Sequence, residues 1–326
     1  MVSVEGVGAM AMNWVQFQQG MSLPEFLRSF GTEEQCVEAV KRARWPEGFS
    51  CPRCAGGTYY TVRHEGRSLF QCSTCRHQTS LTARTLFAGT KLPLTIWFLA
   101  IYRISQAKTG ISALALKREL GVSYPTAWLV HHKIMRAMAE RDSVHQLGGK
   151  VQIDDAYLGG ERSGGKAGRG SENKIPFVAA VSLDAHNHPR YLKLTPLAGF
   201  TNQALSQWAR SHLQPGSCVS SDGLGCFAAV AEAGCFHVPT VVGRAKPREL
   251  PDFKWVNTIL GNLKNSLSGT YKAFKYGKYA APYLAAFAYR FNRRFNLHDL
   301  VVRLIVDVTR CQPKSQRVIR KAEDHF

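Results

Sequence analysis

The stretch "KVQIDDAYLGGERSGGKAGRG", residues 150–170, decides how this chain is read. Its first half is an apolar, strand-like run carrying Val151 and Ile153. That run delivers two adjacent acids, Asp154 and Asp155, into a loop rich in glycine and basic residues. Buried carboxylates are costly unless something at the strand end engages them. The setting sharpens the point, because 42 Lys+Arg stand against 23 Asp+Glu and the formal net charge is +19. Downstream come further strand-like runs, "IPFVAAVSLD", "RYLKLTPL" and "SCVSSD". Helical patterns are interleaved with them at "NQALSQWARSHL", "GCFAAVAEAG" and "WVNTILGNLKNSL". Strands and helices in that order predict an α/β domain.

The 326 residues have room for two or three domains, and 45% hydrophobic with 20% charged residues argues against large-scale disorder. A pI near 9.8 points to a polyanionic partner. Nucleic acid is the first candidate and an anionic membrane surface the second. No apolar run reaches about 18 residues, so no transmembrane helix is expected. The best approach to one, "YAAPYLAAFAYRF", is too short and contains Pro282. The N-terminus lacks the basic start and long apolar core of a signal peptide. A cytoplasmic protein is the expectation, and its nine cysteines are then thiols or metal ligands rather than disulfides.

Four of the cysteines are patterned. Cys51 and Cys54 form one C-x2-C pair, Cys72 and Cys75 another, with seventeen residues between them. Each pair presents two thiolates from a tight turn, and two turns close a tetrahedral shell around Zn²⁺. Sulfur fills the fourth position, so the site is structural, not catalytic. The intervening residues suit a hairpin, the shape of a zinc ribbon. A redox pair is the rival reading, disfavoured by the doubling and the spacing.

After the ribbon, "GISALALKRELGVSYPTAWLVHHKIMRAM" reads as helix, turn at Gly121-Val122-Ser123, and second helix. Leu114, Leu116, Leu120, Val122, Ala127 and Ile134 are the expected small core. Tyr124, Thr126, His131, His132 and Lys133 are expected to face outward into a DNA major groove. The plain alternative is a generic helical hairpin.

In the α/β region, Asp154 or Asp155 ends the first strand, Asp222 ends a later one, and Asn257 opens a helix. Alternation sends neighbours to opposite faces of a strand, so it allows only one of Asp154 and Asp155 at a shared point and does not choose between them. Two strand-end carboxylates and an amide oxygen suit Mg²⁺, a hard cation. Two such ions, roughly 4 Å apart, activate an attacking oxygen and stabilise a leaving oxygen in phosphoryl transfer.

The segments "RWPEGFSCPRC", "FQCSTCRHQTSLTARTLFAGTKLPLTIWFLAIY", "IDDAYLGG", "SDGLGCF" and "WVNTILGNLKNSLSGTYKAF" occur in one order over roughly residues 20–300. Together they resemble the zinc-ribbon insertion-sequence transposases of bacteria, whose DDE-type nuclease core has the RNase H-like fold. The resemblance implies that Asp154 is the first acid, Asp155 its neighbour, and Asp222 the second acid. The third position varies in such families between Glu, Asn and His, with a Lys seven residues later. Asn257 and Lys264 fit that relation and share one helix face, two turns apart. Asn257 departs from an acid, bringing an oxygen ligand without charge. Glu249 and Asp252, in a proline-flanked loop, are the acidic alternatives, and a helix cap is the plain reading of Asn257.

The glycine-rich loop after the first acid carries Arg162, Lys166, Arg169 and Lys174, suited to a phosphate chain or equally to a surface hairpin tip. The expected layout is a helical segment over 1–47, a zinc ribbon over 48–82, and a helix-turn-helix region over 83–146. An RNase H-like mixed sheet flanked by helices follows over 147–310, then a basic tail over 311–326. The implied activity is DNA transposition: binding of terminal inverted repeats, Mg²⁺- or Mn²⁺-dependent cleavage with two ions, and transfer of a 3′-hydroxyl to target DNA. A homodimer or higher oligomer on DNA is the natural expectation. The alternatives are a non-enzymatic zinc-ribbon transcription regulator and a metal-dependent nuclease without strand transfer.

Overall fold

The computed structural model describes residues 15, 18–64, 67–160, 174–240, 251–272 and 274–321. Two reciprocal caps open the chain's helical part. Ser22 and Glu25 cap α1 (Leu23–Phe30), and Thr32 and Gln35 cap α2 (Glu33–Arg44). The ribbon follows as β1 (Tyr59–His64), β2 (Arg67–Cys72) and β3 (Gln78–Ser80), an antiparallel sheet in that order. Trp45, Phe49, Tyr59 and Phe70 weld it to α2, with ring centroids about 5 Å apart.

Helix α3 (Leu94–Gln106) leads to α4 (Ala113–Leu120) and α5 (Tyr124–Ser143). The expected helix-turn-helix chemistry is present. Gly121 ends α4 in the left-handed region (φ 65°), and the Ser123 hydroxyl accepts from Thr126 N to cap α5. Leu116, Leu120, Ala127 and Ile134 are buried and Val122 is half-buried, but Leu114 is 47% exposed and not part of the core.

A five-stranded mixed sheet forms the second half, with order β6-β5-β4-β7-β8. Its strands are β4 (Lys150–Leu158), β5 (Ile175–Leu183), β6 (Pro189–Pro196), β7 (Cys218–Ser221) and β8 (Phe236–Pro239). Strand β5 pairs antiparallel with both β4 and β6; β7 pairs parallel with β4, and β8 with β7. Alternation then splits the side chains. Val151, Ile153, Val178 and Ala180 pack against α6 (Asn202–His212) and the 3-10 stretch Gly225–Ala233. Ala156, Leu158, Phe177, Ala179 and Val181 face α7 (Lys254–Thr270) and α8 (Tyr276–Asn292). A mixed sheet covered by helices on both faces is the RNase H-like architecture expected.

The chain's end differs from expectation. Helix α8 stops at Asn292 and two helices follow, α9 (Leu300–Arg310) and α10 (Gln316–Lys321), the second within the stretch expected as a basic tail. Helix α9 lies against α2, α3 and α5, and α10 sets Ile319 into buried surface by α5, where a loose tail was expected. One apolar core therefore runs from Phe26 and Cys72 through Phe98 and Ile134 to Phe177, Val256 and Leu304. The core region expected to close at 310 gives its last helix to the N-terminal helices. Among the described residues no helix is long and apolar enough to cross a membrane.

Candidate active site

The parallel pairing of β4 and β7 sets the geometry. Val151 lies opposite Val219 and Gln152 opposite Ser220, where the ladder ends. Two residues further on, the same register brings Asp154 level with Asp222. An oxygen from each of Asp154, Asp155 and Asp222 lies within 4.8 Å of the others, and all three residues are half-buried. Alternation alone had excluded Asp154 and Asp155 from one point. The exclusion fails because β7 stops short: among the described residues its pairing with β4 ends at Gln152 and Ser220, before the acids are reached. The Asp154 carboxylate turns along the strand there to accept from the Asp155 amide at 2.9 Å.

Asp222 is held by its own turn. Its Oδ1 accepts from Leu224 N at 3.1 Å, and Gly223 takes the left-handed conformation (φ 82°) that the turn needs. Beneath it the fully buried Ser221 hydroxyl meets His237 Nε2 of β8 at 2.8 Å. Burial holds the His237 imidazole below its ordinary pKa, so it stays neutral.

Like charges about 4 Å apart repel by roughly 4 kcal/mol per pair at a protein's effective dielectric constant. Three carboxylates gathered so closely form a set that can share a cation. Oxygens bound about 2.0–2.1 Å from one Mg²⁺ lie roughly 3–4 Å apart, which matches this spacing.

Helix α7 passes over the same face. Gln152, buried and two residues before Asp154, accepts from Trp255 N and Val256 N, both at 3.2 Å. It caps the first turn of α7 from across the sheet, where Phe253 at the N-cap offers no side-chain bond. Asn257 follows directly and is half-buried; Lys264, two turns on, is exposed. Of the acidic alternatives, Asp252 is exposed at the entry to α7, and Glu249 lies outside the described residues.

In the ribbon the four sulfurs of Cys51, Cys54, Cys72 and Cys75 lie within 4.8 Å of one another, with Cys51 to Cys75 and Cys54 to Cys72 both at 3.6 Å. Sulfurs each about 2.3 Å from a tetrahedral Zn²⁺ sit about 3.8 Å apart, so the set fits that ion. Backbone amides, Cys75's first and then Thr74's, draw the Cys72 thiol down to about 6.

With this geometry in view, known proteins give it a context. Residues 146–292 match the ISXO2-like transposase domain, and residues 31–78 match the transposase zinc-ribbon domain. The chain belongs to the zinc-ribbon transposases of insertion sequences. An uncharacterized protein in transposable element ISH50 of Halobacterium salinarum is 26% identical over 235 residues, covering 66% of this chain and 76% of that protein. A pre-cleavage Mos1 transpososome structure aligns with a TM-score of 0.23 at 12% identity, covering 70% of this chain and 78% of that one, a likeness too slight to bear on the fold.

For this transposase the groove-facing residues expected on α5 need correction. His131 is 1% exposed and packs among Tyr271 and Tyr283; His132 is buried beside Trp128. Burial pushes their pKa values down to about 3 and about 4. Lys133 points inward, half-buried, with Nζ 5.8 Å from the Trp97 ring. The reason is that α5 is packed along most of its length by α8 and α9. Its first turn is open, with Tyr124 at 48% exposure and Thr126 half-buried against the Ser123 hydroxyl, and so is its last turn, at Glu140, Arg141 and Ser143. Arg162, Lys166 and Arg169 lie outside the described residues. Sequence reasoning missed Gln152 and His237. A polar residue inside the apolar run "KVQID", on the same alternation as Asp154, was the available signal for Gln152.

Proposed function

We propose that this transposase cuts DNA at the ends of its element and joins the freed 3′-hydroxyl to a target phosphodiester at one site. The observation that carries this reading is the convergence of the Asp154, Asp155 and Asp222 carboxylates at the end of β7. Asp154 and Asp222 hold divalent cations, two Mg²⁺ or Mn²⁺, with Asp155 adding charge and Asn257 an uncharged oxygen. Bound there, such ions lower the cost of forming an attacking oxygen and of releasing the leaving one. The residues do the positioning. The Asp222 turn fixes one carboxylate, the Asp154 bond to the Asp155 amide fixes the other, and Gln152 sets α7 so that Asn257 follows them on one face. Lys264, two turns beyond on α7, contacts a DNA phosphate.

In the ribbon the cysteine quartet holds Zn²⁺ as a structural ion. The ribbon, the first turn of α5 with Tyr124 and Thr126, and the loop bearing Arg162, Lys166 and Arg169 grip the terminal inverted repeats. Joining two ends calls for two copies, so the active species is a homodimer or larger on DNA.

The test is incubation with Mg²⁺ and labelled DNA carrying the element's ends. Cutting followed by joining supports the reading. Cutting without joining reduces it to a nuclease, and binding with intact DNA makes the chain a regulator. Asp222→Ala abolishes both reactions while leaving DNA binding within a few-fold; a variant that still cuts overturns the metal assignment.

A further inference from the structure

The face of the sheet that carries the acids continues past them into a cavity of about 510 Å³. On β4 the residues Lys150, Gln152 and Asp154 share that face, and on β7 Cys218 and Ser220 do, with Asp222 directly after the strand. Lys150 is paired with Cys218 and Gln152 with Ser220. The cavity is lined by Lys150, Gln152, His186, His188, Lys254 and Trp255, so it begins one register step below the acids. Among the described residues, helix α7 packs on β4 and β5, and the 3-10 turn Pro251–Phe253 before it reaches β7. On β8, Val238 lines the cavity at 45% exposure, and Phe236, opposite Cys218, is 69% exposed.

The chemistry of the lining is specific. Lys254 Nζ stands 4.8 Å from the Trp255 ring centre, and the Trp255 indole donates to Asn187 O at 2.6 Å, which fixes the ring. Lys150 Nζ donates to Asn187 Oδ1 at 3.1 Å from the opposite wall. Two exposed lysines outweigh the single carboxylate of Asp252 that also lines the space, beside two exposed histidines and the fixed indole. Cations beside an immobilised aromatic plane are what a single nucleic-acid strand uses, phosphates on the charges and a base on the ring.

We propose that this cavity receives the DNA strand adjoining the scissile phosphate, with Lys150 and Lys254 on its phosphates and Trp255 against a base. The inference rests on the acids being the cutting site. Lys150 lies four residues before Asp154, about 13 Å along the strand at 3.3 Å per residue. At about 3.4 Å per nucleotide along a duplex strand, that places the contact within roughly four nucleotides of the cut, and fewer if the strand is extended. An exposed Phe236 just beyond continues the track.

The experiment uses the full-length protein, zinc-loaded and without added Mg²⁺, so that no cutting is needed. A single-stranded thymidine oligonucleotide carrying 5-iododeoxyuridine is bound, irradiated, and the adduct mapped by mass spectrometry. Binding of the same oligonucleotide without iodine is titrated against salt for the wild type and for Lys150→Ala/Lys254→Ala. The adduct is expected on the peptide containing Trp255. The slope of log Kobs against log salt is expected to fall in magnitude by about 1.4, or about 0.7 for each phosphate contact removed from a single strand. Both lysines are exposed, and thermal unfolding of the double variant checks that it folds as the wild type does. Adducts confined to other segments, or an unchanged salt slope, overturn the proposal. Since neither readout involves cleavage, a wild type that binds here yet fails to cut DNA counts against the proposed function alone.

Discussion

At the level of single residues, the pair Asp154 and Asp155 separates what a pattern states from what a backbone allows. Alternation holds for the strand as a whole, since Val151 and Ile153 go to one face while Ala156 and Leu158 go to the other. It does not bind carboxylate oxygens at a strand edge, which swing along the chain once the neighbouring strand has ended. Asp222 was legible because an acid followed by glycine after a short apolar run is a turn that presents its side chain. The convergence of all three was not legible, because it depends on where β7 stops. Asp155 therefore has a testable share in the site. Asp155→Asn is expected to slow DNA cutting by about 10–100-fold at low Mg²⁺, the range seen when residues supporting a metal site are lost. The deficit should shrink as Mg²⁺ is raised, because the variant lacks charge rather than geometry. A titration of cutting rate against Mg²⁺ reads this directly, and a deficit independent of Mg²⁺ would remove Asp155 from the metal site. Asp154→Asn should instead stay inactive across the titration.

Among the elements, α7 shows how a helix is placed by a residue far away in sequence. Its start has no local cap, so its first amides are satisfied by Gln152 of β4. Gln152→Leu leaves those amides without an acceptor beside a buried surface, at a cost of about 1–3 kcal/mol in stability. It also frees the helix turn that carries Asn257, so kcat for cutting should fall while DNA affinity holds. Gln152→Glu keeps the acceptor and places negative charge at a helix N-terminus, so it should recover most of the lost stability and rate. Equal loss in both variants would make Gln152 a packing residue only. Helix α9 teaches the opposite lesson. Its apolar positions Leu300, Val301, Leu304, Ile305 and Val308 follow helical spacing in "LVVRLIVDVTR", a signal that was present but went unused in the expected layout. Its partners were not readable, since nothing in the stretch says that it packs on α2, α3 and α5, all far away in sequence. Leu304 is fully buried there, so Leu304→Ala should cost about 2–5 kcal/mol in denaturant unfolding. An effect under 1 kcal/mol would show that α9 is docked only loosely.

Across the whole molecule, the ribbon is not an appendage, and that changes what its metal does. The cysteine spacing made a zinc ribbon legible, and the layout read from the sequence treated it as a separate unit over 48–82. In the structure Cys51, Cys72 and Phe70 belong to the same apolar core as Phe98, Ile134 and Leu304. Trp45 and Phe49 carry the contact from ribbon to helix, and Arg44 of α2 donates to the Ser80 and Leu81 carbonyls just beyond β3. Folding of a ribbon is linked to metal binding, because the four-sulfur site exists only in the folded chain and the binding free energy becomes folding free energy. When the ribbon shares a core with the helices, that linkage extends to them. Chelation of the zinc is therefore expected to lower the thermal unfolding midpoint of the whole chain as one transition, not to melt a small unit while the rest stays unchanged. Calorimetry of the zinc-loaded and the chelated protein distinguishes the two. A single transition displaced to lower temperature fits a shared core. An early, small transition followed by an unmoved main one would mean that the ribbon folds alone and that the continuity through Cys72 and Phe70 carries little energy. Cys72→Ser should reproduce the chelated behaviour, since three sulfurs and a hydroxyl hold zinc more weakly than four thiolates. Restoring zinc should rescue the chelated wild type and leave the variant largely as it was.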